Sequence, residues 1–123
     1  EGMKRKLRIA VATDDGKTMR FGHFGDALEY HIFDYEDGRL TFVETRKNLL
    51  TDEALGIEEH DNPMKARMMR EQLSDCDVFV GHSMGLKNRQ KLEEMGVKMI
   101  PLVKKGLSIE EALKRALEKL GLS

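Results

Sequence analysis

The run Leu7-Arg8-Ile9-Ala10-Val11-Ala12-Thr13 constrains this chain most. It is apolar, rich in β-branched residues and closed by the turn signal Asp14-Asp15-Gly16. It therefore reads as a buried central strand. A glycine-containing loop follows over residues 16–27. Residues 29–35 alternate in polarity, Asp37-Gly38 is a two-residue hairpin signal, and residues 39–46 supply the partner strand. Residues 47–61 form a long acidic loop.

The second half changes period. Pro63 suits the first turn of a helix capped by Asp61 or Asn62. Ala66, Met69 and Leu73 share one face of it, and Met64 and Met68 form a second stripe; the helix should end near Ser74. A strand is expected over 76–81, a helix over 85–95 stopped by Gly96, and a short strand over 97–101. The last helix opens on a capping box, Ser108 with Glu111. It buries Ile109, Ala112, Leu113, Ala116, Leu117 and Leu120, and Gly121 ends it. The order β-β-β-α-β-α-β-α is a meander followed by a right-handed βαβ unit. That is an α/β domain over residues 3–123, with Glu1-Gly2 read as an expression-tag remnant.

Composition narrows the function. The chain has 123 residues, enough for one domain with its own core. Its 21 basic and 22 acidic side chains leave a net charge of -1. That lacks the basic excess a nucleic-acid binder uses against phosphate, so no nucleic-acid partner is expected. The single cysteine, Cys76, forbids an internal disulfide and suits a reducing, cytoplasmic setting. No apolar run is long enough to span a membrane.

Topology suggests where chemistry would sit. If strand 7–13 pairs in parallel with strand 76–81, their exit loops are neighbours at the carboxyl edge of the sheet, where open α/β sheets bind ligands. Those loops carry Phe21-Gly22-His23-Phe24-Gly25 and Gly81-His82-Ser83-Met84-Gly85. His31 and His60 are placed toward the same end. Imidazole and thioether are good ligands for iron, copper or zinc. The glycines let backbone approach a bulky ligand, and free N–H groups before a helix hold anions. Each histidine also has a plain reading as a surface or packing residue, and no pair shows a recognised metal-site spacing.

An ordered set of motifs carries a resemblance. Ile9-Ala10-Val11-Ala12-Thr13-Asp14, then His23-Phe24-Gly25, then Asp75-Cys76-Asp77-Val78-Phe79-Val80-Gly81 with Met84-Gly85, and finally Leu92-Glu93-Glu94-Met95-Gly96-Val97 resemble the dinitrogenase iron–molybdenum cofactor biosynthesis family. The resemblance implies a ribonuclease H-like, three-layer fold with a mixed five-stranded sheet and flanking helices. It also implies a non-enzymatic, cytoplasmic protein that binds or carries an iron–sulfur or iron–molybdenum type cluster, as a monomer or homodimer. Its partners would be cluster donor or acceptor proteins. On this reading His23 and His82 are the metal ligands, and Phe24, Gly25, Met84 and Gly85 complete the cofactor-binding surface. The family often has a glycine pair and a further glycine where this chain has Gly81-His82-Ser83-Met84-Gly85, so His82 either adds a ligand or marks a lost one. Two other functions compete. One is an interaction module or small-anion or nucleotide binder with no metal role. The other is a nuclease, for which Asp14, Asp15, Asp34 and Glu58 are the available acids.

Overall fold

The computed structural model describes residues 6–49 and 67–122 in full and the helical backbone of residues 63–66. Glu58, His60, Asp61, Asn62 and the side chains of Met64 and Ala66 lie outside the described residues. So do Glu1-Gly2 and the rest of the acidic segment before Pro63.

The strands are β1 (Lys6–Thr13), β2 (Glu29–Glu36), β3 (Arg39–Lys47), β4 (Val78–Gly81) and β5 (Lys98–Pro101). The helices are α1 (Pro63–Gln72), α2 (Leu86–Glu94) and α3 (Ile109–Lys119), and a single 3₁₀ turn covers Phe24–Asp26. The sheet order is β3-β2-β1-β4-β5. β1 is central, antiparallel to β2 and parallel to β4. β4 and β5 are parallel, and β2 and β3 form the hairpin, so the sheet is mixed and five-stranded.

The hairpin closes through Asp37 at φ 51° and Gly38 at φ 82°. These left-handed values at both turn positions match a type I′ turn, whose twist suits the strands it joins. β1 runs apolar because both its faces are covered. Ile9 and Val11 meet α3, with Val78, Val80, Ala112, Leu113 and Ala116. Ala10 and Ala12 face the side of α1 and α2, with Phe24, Tyr30, Ile32, Leu73, Phe79 and Leu92. The result is three layers, helix on sheet on helix. Ser108 caps α3 by accepting from the Glu111 N–H, as the capping box predicts.

β3 departs from the expected pattern. Every residue from Arg39 to Thr45 is exposed, although the strand pairs along its length with β2. Among the described residues, α3 and the α1/α2 pair cover the centre of the sheet and do not cover this edge.

Candidate functional site at the carboxyl edge of the sheet

The parallel pairing of β1 with β4 puts the two glycine-bearing loops side by side, as the topology predicts. A one-pair parallel bridge joins His23 to Ser83, and the Phe24 N–H donates to the Ser83 carbonyl at 2.8 Å. A third loop closes the edge: the Met19 N–H donates to the Leu107 carbonyl, and the Leu102 N–H to the Gly81 carbonyl.

The polar residues around the first loop build it from within. Buried Thr13 donates its hydroxyl to the Thr18 carbonyl at 2.7 Å and accepts from the Gly16 N–H at 2.9 Å. Asp15 accepts from the Lys17 and Thr18 N–H groups, which holds its carboxyl well below the usual carboxylate range. Asp14 accepts from Arg20 at 2.7 Å and from the Leu28 N–H at 2.9 Å. Arg20 also donates to the His23 carbonyl at 3.1 Å. Buried Asn48, just past β3, donates to the carbonyls of Gly25 and Ala27.

The candidate site residues divide by depth. His23 is exposed at the rim. Phe24 is fully buried: its ring stacks on Phe79 with centroids 4.8 Å apart, and its carbonyl accepts from the Tyr30 hydroxyl at 2.8 Å. Gly25 is buried as well. These two residues shape the loop from below and do not present side chains to a ligand. Gly81 is needed because a Cβ there would come 2.9 Å from Phe24 Cδ1.

His82 is half-buried, and its ring lies 4.0 Å from that of Phe21. Its Nδ1 is buried without a hydrogen-bond partner. Phe21 is half exposed and carries the Lys105 ammonium 5.3 Å above its ring. Met84 packs against the α1/α2-side core. Gly85 is the N-cap of α2 and brings no side-chain cap. Exposed Leu86 follows it, and Val103 on the third loop is 80% exposed.

Other candidates lie elsewhere. His31 sits on the α3 side of β2, 3.4 Å from Glu29 and 5.5 Å between ring centroids from Phe42. Cys76 is buried, and burial with the neighbouring Asp75 carboxylate pushes its thiol up to about 12. That makes it a packing residue. Asp34 pairs with Arg8 near the amino end of β1, at the opposite end of the strand from Asp14 and Asp15. Among the described residues, no three of His, Cys, Asp and Glu converge to hold a metal ion. The described acids therefore do not form the cluster a two-metal nuclease requires.

Sequence reasoning missed Thr13, Arg20 and Asn48. Their roles depend on which carbonyls the fold brings near them, and no local spacing announces that.

The family model described as dinitrogenase iron–molybdenum cofactor matches residues 5–119. The chain belongs to that family. Comparison with curated proteins gives no match. Two solved structures share the fold. The first is PH0822, with a TM-score of 0.59 and 13% identity, covering 94% of this chain and 91% of that one. The second is the apo form of the orange protein from Desulfovibrio gigas, with a TM-score of 0.59 and 24% identity, covering 92% of this chain and 88% of that one. No described helix is long and apolar enough to cross a membrane.

Proposed function

We propose that this protein is a non-catalytic carrier that binds an iron–sulfur or iron–molybdenum type cluster at the carboxyl edge, between the loops of His23 and His82. Family membership supports the class of cargo. The observation that carries the site is the pairing of the two loops, with His23 exposed on one and His82 Nδ1 buried and unpaired on the other. An unpaired buried nitrogen costs about 1–3 kcal/mol, a cost that a ligand on that atom removes.

The donor set fits a cargo held loosely. Two imidazoles on neighbouring loops and one half-buried thioether, Met84, suit iron-containing centres. They fall short of the closed ligand shell of a permanent structural site. A carrier has to release what it holds, so weak ligation is the useful arrangement. Phe24 and Gly25 fix the loop, and Gly85 leaves the α2 N-terminus open to negative charge. The exposed apolar side chains of Phe21, Leu86 and Val103 surround the same edge. They suit a donor or acceptor protein docking over the cargo. Within this reading the protein works in the reducing cytoplasm, and its layered sheet is of the ribonuclease H-like kind.

Reconstitution with iron and sulfide, and separately with isolated iron–molybdenum cofactor, tests the reading by absorbance spectroscopy. Charge-transfer bands should appear on loading, weaken in His82→Ala and be lost in His23→Ala. Absence of uptake from both sources, or uptake equal in wild type and His23→Ala, overturns it.

A further inference from the structure

A cavity of about 190 Å³ lies on the α3 side of the sheet, between the loop after β5 and the second half of α3. Leu102 and Leu107, both buried, line it from the loop. Three cations line it as well: Lys104 from the same loop, and Arg115 and Lys119 from α3. Glu118 is the one acid among the described residues that line it, so three cations face one carboxylate. These cations spend little of their bonding capacity inside the chain. Arg115 Nε is buried, and no described group accepts from it. The Arg115 Nη2 lies 3.5 Å from Glu111, beyond the range of a good hydrogen bond. Lys119 reaches the Pro101 carbonyl at the same 3.5 Å. The carbonyl end of α3 gives a reason for one cation here, Lys119 in the last turn. It gives none for Lys104, which the loop brings across from β5, or for a guanidinium with a buried, unmet N–H.

We propose that this cavity binds a small oxyanion, a phosphate or carboxylate group held by Arg115, Lys104 and Lys119. A guanidinium presents planar donors that match two oxygens of one such group, and the ammonium groups add charge without fixed geometry. The fold sets these donors in place before anything binds. The loop is tied at both ends: the Leu102 N–H donates to the Gly81 carbonyl at 2.8 Å, and the Leu107 carbonyl accepts from the Met19 N–H at 2.9 Å. α3 starts directly after it, on the Ser108 cap. Leu102 and Leu107 offer an apolar floor to the rest of an organic anion. Lys104 and Lys119 are exposed, so water and salt screen their charge. The site is therefore weak, with a dissociation constant on the order of 1 mM. None of these residues belongs to the two loops proposed to hold the cargo, so the site stands or falls apart from that reading.

Heteronuclear NMR of the full chain at low ionic strength and constant pH, titrated separately with sodium phosphate, sodium butyrate and sodium chloride, tests the proposal. The Arg115 Nε–H signal and the amides of Val103, Lys104 and Lys105 should shift and saturate by about 20 mM with phosphate or butyrate, and not with chloride. Saturation by phosphate alone identifies a phosphoryl group as the one the cavity takes, and saturation by butyrate alone a carboxylate. Lys104→Met with Lys119→Met keeps Arg115 as the reporter and should weaken binding about tenfold or more. Lys98→Met with Lys114→Met removes the same charge outside the cavity and should leave binding unchanged. Circular dichroism checks that both double variants fold. Shifts that never saturate with either anion, chloride acting as well as phosphate and butyrate, or an equal response of the two double variants overturns the proposal.

Discussion

At the scale of single residues, the loop of His23 is held by atoms that never face the solvent. Gly81 is one of them. Gly81→Ala would push a methyl group to 2.9 Å from the Phe24 ring, which is pinned between Phe79 and Tyr30. Overpacking of a filled core costs about 1–3 kcal/mol. We expect Gly81→Ala to lower the urea midpoint accordingly with no change in the slope. Asn48 acts from the other side. Its amide donates to the Gly25 and Ala27 carbonyls at 2.9 Å and 2.7 Å and accepts from Gln72 at 3.1 Å. Asn48→Ala leaves two buried carbonyls unmatched and should cost about 1–3 kcal/mol. Cluster uptake should fall with it, because the His23 loop loses its tie to α1. The meeting of the His23 and Ser83 loops was legible, since parallel pairing of β1 with β4 puts both exit loops at one sheet edge. The depth of Phe24 was not: an aromatic beside a candidate ligand reads equally well as cover or as core, and only the stacking on Phe79 decides between them.

At the scale of elements, the central strand and the helix pattern could be read because burial on both faces demands an apolar run. The capping box at Ser108 and the turn at Asp37-Gly38 were readable because each is a local rule with a local cause. Helix α2 begins one residue later than expected, at Leu86, because Gly85 is extended and serves as its cap. β4 begins at Val78 in place of residue 76, since the Asp77 N–H is taken by the Arg8 carbonyl before the strand's own ladder starts. The exposure of β3 was illegible for a different reason. Its residues Leu40, Phe42 and Val43 promise a buried face, and the sequence does not say how far the helices reach across the sheet. His31 lies toward the carboxyl edge, as the topology implied, opposite Val11. Topology sent it to the correct end of the molecule, but the alternation along β2 put it on the α3 side, beside Phe42.

At the scale of the whole molecule, the charges are divided between the two ends of the sheet. At the amino end of β1, Arg8 grips Asp34 through two bonds of 2.7 Å and 2.9 Å and reaches Asp75 at 2.7 Å. Arg46 grips the same Asp75 through two more, at 2.8 Å and 2.7 Å. Hydrogen bonds from Arg46 and then Arg8 hold the Asp75 carboxyl well below its ordinary value, and Arg8 does the same for Asp34. A carboxyl lowered in the folded state contributes stability above its unfolded pKa of about 3.9 and loses it as pH falls. The melting temperature should therefore hold above about pH 5 and drop below about pH 4. Asp75→Asn should melt lower at neutral pH and show a shallower acid decline, which a pH series of thermal melts would measure. Because Asp75 is substantially exposed, solvent screening keeps its share modest. The Asp15 carboxyl in the first loop is held low in the same way as Asp75, so acid weakens the sheet frame and the proposed cargo edge together. The anchoring of Phe24 by Phe79 and by the Tyr30 hydroxyl has a kinetic meaning for that edge. Among the described residues the platform is already assembled before anything arrives. On the carrier reading proposed above, loading would have the character of a collision, governed by diffusion, ionic strength and the departure rate of the previous holder's ligands.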